Sequence, residues 1–404
     1  MRSPFRAPRR WLGLLVPAAA GLAAASLLSV APAAAAVPGV PAAAGVPAAG
    51  RIPAAGRIPA RLVLASLNAA GTQDGLAGVS CPAARACTAV GGTRNDLSGA
   101  RLAKAWNGTR WTVQSVPGDG LLMGVSCTSA RKCTAVGETS LGKPLTDRWN
   151  GKAWVNPRHN PGAQDSRLTG VSCTSATRCM AVGHTGGGML AERWNGTRWA
   201  LQTVPTPAGF LHVGLSDVSC TSARACTAVG AYITGDGSHE SLGATWNGTA
   251  WTVRATPLLS DLSLLASVSC TSARACMAVG TTPIGIDETP MPLAERWNGV
   301  TWTVLPVPDP GGNGSLNGVS CSSAIRCTAV GSSTSGALAE RWNGTQWAVQ
   351  STPGATGASL YSVSCESVHR CTAAGDVTTS GDQVTRAERW NGTRWAIQPT
   401  PGHP

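Results

Sequence analysis

The chain has 404 residues, with 32 lysines and arginines against 20 acidic residues and a formal charge of +12. Seven of the basic residues precede Leu62 and no acidic residue occurs before Asp74, so residues 62–404 hold 25 basic groups against 20 acidic ones, a net of about +5. That balance excludes the strongly basic footprint of a nucleic-acid-binding domain.

The first elements are targeting segments. Arg2, Arg6, Arg9 and Arg10 precede an apolar run from Trp11 to Val30, and Ala34-Ala35-Ala36 offers a small-residue cleavage site, so residues 1–36 read as a signal peptide. The run is long enough to span a bilayer, but its alanine-rich exit without stop-transfer charges favours cleavage, leaving no stable membrane span. Pro8 before Arg9-Arg10 favours the general secretory route over twin-arginine export. Residues 37–60 are an Ala/Pro/Gly tract with neither helical nor strand periodicity, read as a disordered spacer. The expected location is extracellular, in solution or at the cell surface.

Residues 61–404 form the folded part. Residues 61–67 read as one strand, placed where a last strand would precede the first repeat. Seven copies of one pattern follow: Leu-x-(Gly/Ser/Asp)-Val-Ser-Cys, five residues, Cys-x-Ala-(Val/Ala)-Gly, a variable stretch, and Trp-Asn-Gly-x-x-Trp. Their first cysteines, Cys81, Cys127, Cys173, Cys220, Cys270, Cys321 and Cys365, recur every 44 to 51 residues. The period and count predict an all-β, seven-bladed β-propeller with four antiparallel strands, a to d, per blade. In the third copy strand a is 168–173, strand b 179–183, strand c 190–194 and strand d 199–202. The small residues of strands a and b suit the crowded axis, and the tryptophans of c and d suit the perimeter.

All 14 cysteines fall in Cys-x5-Cys pairs. In an exported chain this predicts seven local disulfides, Cys81–Cys87, Cys127–Cys133, Cys173–Cys179, Cys220–Cys226, Cys270–Cys276, Cys321–Cys327 and Cys365–Cys371. The spacing does not suit a zinc site, and no metal or other cofactor is expected. Asn-Gly between each pair of tryptophans predicts a two-residue type I′ hairpin. Trp194 would then oppose Thr197 and lie diagonal to Trp199 as packing between blades. The turn also accounts for the glycosylation-like Asn-Gly-Thr at Asn107, Asn195, Asn247, Asn343 and Asn391.

The Trp-Asn-Gly-x-x-Trp corner is similar to the Asp-box of sialidase-type propellers in its Gly-to-Trp spacing, as at Gly196 and Trp199 or Gly344 and Trp347. The serine of that motif is not reproduced, and the resemblance implies a sialidase-like fold alone. The whole repeat, Val-Ser-Cys…Cys-x-Ala-Val-Gly…Trp-Asn-Gly, resembles the uncharacterised secreted Cys/Trp-repeat propellers of high-GC Gram-positive bacteria, which implies no particular activity.

Two groups of residues are candidates for function. Tyr232, Asp236, His239 and Glu240 fall in the b–c connection of the fourth copy, and Asp287 and Glu288 in that of the fifth. Together they are the ligand-binding candidates, or an acid–base site of a carbohydrate-active lyase or hydrolase, against a reading as solvated loops. A basic residue closes each Cys-x5-Cys turn: Arg85, Arg131, Arg178, Arg224, Arg274, Arg326 and Arg370. These could form an anion-binding ring on the opposite face, or cap turn carbonyls and pair with strand c acids such as Glu192. With no nucleophile, acid pair or metal cluster in the pattern, the expected role is a monomeric, non-enzymatic binding module. Its partner would be an extracellular glycan, a cell-envelope polymer or a protein, engaged through variable loops; a purely structural surface role is the further alternative.

Overall fold

The computed structural model describes residues 73–402, apart from 96–97, 158–159, 207–210, 236, 260–261, 285–288 and 355. The expected signal peptide, spacer and strand at 61–67 lie outside the described residues. Among the described residues there are 28 strands, four in each of the seven repeats, and no helix. Each repeat is an antiparallel meander in the order a-b-c-d. In the third, the strands are Arg167–Ser175, Arg178–His184, Met189–Trp194 and Trp199–Leu201.

Within a repeat, the two cysteines stand opposite one another in the a–b ladder, as Cys173 and Cys179 do. All seven disulfides form. Toward the other end of strand a the register slips by one residue, for instance between Leu168 and Gly170 and between Leu360 and Ser362. This β-bulge sends the leucine into the core and pushes the strand a backbone against strand b. Strand b meets it with glycine. A Cβ on Gly91, Gly137, Gly183, Gly230, Gly280, Gly331 or Gly375 would sit 1.8 to 2.0 Å from a strand a carbonyl oxygen. The final glycine of Cys-x-Ala-(Val/Ala)-Gly is therefore a packing requirement.

Strand a of each repeat packs against strand a of the next, and that of repeat 7 packs against that of repeat 1. A serine of Val-Ser-Cys makes the link in every case. Ser80 Oγ accepts from the Cys127 amide at 2.9 Å, and Ser126, Ser172, Ser219, Ser269 and Ser320 accept likewise from Cys173, Cys220, Cys270, Cys321 and Cys365. Ser364 accepts from Cys81 at 2.9 Å and returns the series to its start. Each interface is also an apolar cluster: Ala374 and Ala387 of repeat 7 join Leu76, Trp106 and Trp111 of repeat 1, as Val136 of repeat 2 joins Leu168 and Trp199 of repeat 3. One parallel bridge, Gln73 to Gln383, also joins the end sheets into one of eight strands. The arrangement is that of a β-propeller with strand a innermost.

The corner between strands c and d differs from the expected two-residue hairpin. Trp194 pairs directly with Trp199, and the four residues between them form the turn. Asn195 Oδ1 accepts from the amides of Thr197 and Arg198 at 2.9 Å each, and only Gly196, at φ 104°, takes the left-handed region. The asparagine acts through its side chain, as an Asx turn, so the loop is two residues longer than an I′ turn and the tryptophans come into register. The paired rings lie 5.4 to 5.8 Å apart in every repeat. All are buried except half-buried Trp149, which confirms them as core.

Gly183→Ala is expected to destabilise the oxidised protein by at least about 3 kcal/mol, because backbone must move to admit the methyl group. Gly187→Ala, in a connection where a Cβ meets nothing within 4 Å, should shift stability by less than about 0.5 kcal/mol. Denaturant unfolding of the two variants side by side checks this; equal effects would mean that the a–b approach is looser than described.

Candidate functional site

Strands a and c run in the same direction and strands b and d in the opposite one, so the a–b and c–d turns share one face and the b–c and d–a connections share the other. On the b–c side, the fourth repeat places its candidates in strands rather than in a loop. Strand b extends through Ile233 and strand c begins at His239, so that Tyr232 pairs with Glu240 and His239 with Ile233. The Tyr232 hydroxyl donates to the Glu240 carboxylate. Burial and this neighbouring carboxylate push the phenol up to about 12, which keeps Tyr232 a neutral donor and unsuits it as a nucleophile. The hairpin tip closes through the Thr234 amide, which donates to the Ser238 carbonyl at 2.9 Å. His239 is also bridged to Leu262 of the following connection. Asp236, Asp287 and Glu288 lie outside the described residues. The structure thus brings together Tyr232, His239 and Glu240 on one ordered hairpin.

On the other face the seven arginines occupy two positions rather than one. Arg85, Arg131, Arg224 and Arg274 stand two residues before the second cysteine, and their stems lie over Gly108, Gly151, Gly248 and Gly299 of the c–d turns. Arg178, Arg326 and Arg370 stand one residue before it and open strand b. Six are exposed and Arg326 is half-buried. The capping role holds for Arg326, whose Nη1 donates to the Asn343 carbonyl. The pairing with strand c acids does not occur: among the described residues the ion pairs are Arg101–Asp147, Arg167–Glu138 and Arg386–Glu388. The c–d turns add exposed Arg110, Lys152, Arg198 and Arg394, and the only acid among the residues of both sets of turns is Glu366.

A different set of arginines, not singled out by the sequence pattern, holds the repeats together on this side. Arg148, immediately before Trp149, crosses to the next repeat, where its guanidinium lies 4.4 Å from the Trp194 ring and donates to the Ala176 carbonyl. Arg341 does the same with Trp390 and Val368, and Arg389 with Trp106 and Ala84 across the closing interface. The recurring Arg-Trp pair was the available signal.

Toward the perimeter, strand c buries a polar residue two places before its first tryptophan. Glu192, Glu295, Glu340, Glu388 and Lys104 are 0 % exposed and Asp147 is 2 % exposed; repeat 4 has Ala244 there. Arg101 of repeat 1 neutralises Asp147 at 2.9 Å. Lys104 donates to Thr385 Oγ1 and the Pro401 carbonyl, both at 2.6 Å, and burial lowers its ammonium to about 8. Glu192 meets the Asn160 amide, turned with its nitrogen toward the carboxylate. Burial raises Glu192 to about 8, against a smaller opposing effect of the Gly162 amide. These groups sit at successive interfaces, each separated from the next by a whole sheet, so they do not converge on one reaction centre.

No protein-family model and no curated protein sequence matches this chain. Among solved structures, YCF48 from Cyanidioschyzon merolae is similar with a TM-score of 0.51 and 15 % identity over 75 % of this chain and 93 % of that one. U3-55K is similar with a TM-score of 0.50 and 12 % identity over 75 % and 89 %. YCF48 bound to a D1 peptide gives a TM-score of 0.45 at 12 % identity over 70 % and 82 %. At these identities the first two bear on the fold alone, and they agree with the propeller arrangement.

The Glu192 carboxyl is easier to protonate in the fold than in the unfolded chain. Its contribution is therefore fully present below about pH 4.5 and lost as pH rises through about 8. Melting temperature should fall across that window, and Glu192→Gln, which mimics the protonated acid, should make the fall shallower. An unchanged pH profile in this variant would show that Glu192 stays ionised.

Proposed function

We propose that the seven repeats are the blades of a closed seven-bladed propeller, exported by the N-terminal signal, that serves as a non-enzymatic interaction module. Its ligand is a glycan, a cell-envelope polymer or a protein, engaged through the b–c and d–a face. The observation that carries this reading is the contrast between the two faces. Every a–b turn has two residues between its strands and every c–d turn four, whereas the b–c connections run from two residues (Ser333 to Gly336) to five (Glu138 to Pro144) and the d–a connections vary more. A fixed frame with divergent connections on one side suits recognition. The Tyr232–Glu240 pair with His239 supplies the polar and aromatic character of such a surface.

A second reading has its own support. The level face of short turns carries twelve exposed or half-exposed arginines and lysines against Glu366, which favours an anionic polymer bound by charge and weakened by salt.

The oxidised exported chain, incubated with a panel of neutral and acidic bacterial and plant polysaccharides, tests both readings. Retention without release of new reducing or unsaturated ends is expected. Loss of retention in a Tyr232→Phe/His239→Ala/Glu240→Gln variant points to the variable face. Loss in an Arg85→Ser/Arg131→Ser/Arg224→Ser/Arg274→Ser variant, with steep salt dependence in the parent, points to the turn face. New chain ends that disappear in the first variant would replace the module by a lyase or hydrolase.

A further inference from the structure

The perimeter interfaces are repeated tests of one problem, how to bury a polar group between two sheets, and three of them solve it with a cation. Between repeats 1 and 2, Arg101 Nη1 lies 2.9 Å from Asp147 and 2.9 Å from the carbonyl of Pro117, in the linker after strand d. Between repeats 6 and 7, Arg386 lies 2.6 Å from Glu388 and 2.7 Å from the carbonyl of Pro353, at the same linker position. Between repeats 7 and 1, the ammonium of Lys104 lies 2.6 Å from the carbonyl of Pro401. A positive charge thus recurs beside the linker proline.

Between repeats 5 and 6 every source of that charge is replaced. Pro292 stands where repeat 1 has Arg101, Leu338 where repeat 7 has Arg386, and Glu340 where repeat 1 has Lys104. Glu340 is 0 % exposed and neither of its carboxylate oxygens has a hydrogen-bond partner. Asp309, directly after the linker's Pro308, brings a second carboxylate, whose Oδ1 is also buried without a partner. The linker is seated tightly here: a Cβ on Gly314 would lie 2.7 Å from Asp309 Oδ1 and 2.9 Å from the Pro292 ring. Two carboxylates sharing a low-dielectric site cannot both stay ionised without a counter-charge.

We propose that Glu340 and Asp309 bind a divalent, oxygen-preferring cation of the calcium class, which takes the place of the arginine or lysine of the sister interfaces. The donors are hard carboxylate oxygens, the chemistry that selects calcium over softer metals. The competing state is a protonated Glu340: burial first, and Asp309 second, raise it to about 8. A bound dication reverses that tendency, since it favours the ionised form. This site is independent of which face carries the module's ligand.

The test uses the oxidised exported chain, stripped with a chelator, at pH 7.5. Calcium chloride is titrated by calorimetry and by thermal melting, with magnesium and potassium chlorides as controls. One calcium site saturating at about 0.1 to 1 mM, in the range of extracellular modules, and a raised melting temperature are expected. Glu340→Gln should abolish both responses, and Asp309→Asn should weaken binding at least tenfold. Pro292→Arg supplies the guanidinium of the repeat 1–2 interface; it should abolish the calcium response while the chelated variant melts no lower than the chelated parent. A parent that does not respond to calcium, and whose melting follows only pH, would leave Glu340 a protonated acid and overturn the proposal. A calcium response that survives Glu340→Gln would also overturn it, by placing the ion elsewhere.

Discussion

The structure depends on one small interaction made seven times, a serine hydroxyl accepting the cysteine amide of the next innermost strand. Strand a is the edge of its own sheet, so half of its amides have no partner within the repeat. An edge amide left unpaired in the crowded interior would cost about 1 to 3 kcal/mol. The serine of the neighbouring Val-Ser-Cys meets that need, and so each repeat is completed by the next. Ser364 bonding to Cys81 closes the series, with Arg389 over the Trp106 ring reinforcing the same seam from the perimeter side. The disulfides act one step earlier. They tie strand a to strand b within each repeat and fix which amide the serine meets, but none of them crosses an interface.

Farther from the axis the interfaces stop being alike. The apolar clusters recur, yet the buried position two residues before the first tryptophan of strand c carries an ion pair in one place, a lysine among oxygens in another, and Ala244 against Met189 in a third. Exchanging repeat 2 with repeat 4 would bury Asp147 against Met189 and leave Arg101 without its partner. A charge stranded in that way costs several kcal/mol. The repeats are therefore similar in backbone and particular in order.

The same geometry explains why the two faces differ. On the a–b and c–d side the turn lengths are set by interactions the fold cannot lose, the in-register disulfide and the Asx turn that aligns the tryptophans. Arginine stems lying over the turn glycines make those positions structural as well, while their charged ends remain free. On the b–c and d–a side no such interaction recurs in every repeat to set the length of the connections, and they differ from one repeat to the next. Variation accumulates there because it is tolerated.

The sequence by itself determined the repeats, their four strands, the seven disulfides, the tryptophan core and the order of strands from the axis outward. Each follows from local pattern: alternation, turn chemistry and cysteine spacing act over a few residues and are written contiguously. The tryptophan register was misread, because Asn-Gly can serve a two-residue hairpin or a four-residue Asx turn, and only the hydrogen bonds of Asn195 distinguish them. The strand a bulge, the Ser364–Cys81 closure, the crossing of Arg148, Arg341 and Arg389 to the next repeat, and the isolation of Glu340 beside Asp309 were decided only by the tertiary structure. These join residues of different repeats, or slip the register within a ladder. Their chemistry depends on which backbone lies alongside, and a linear pattern does not carry that information.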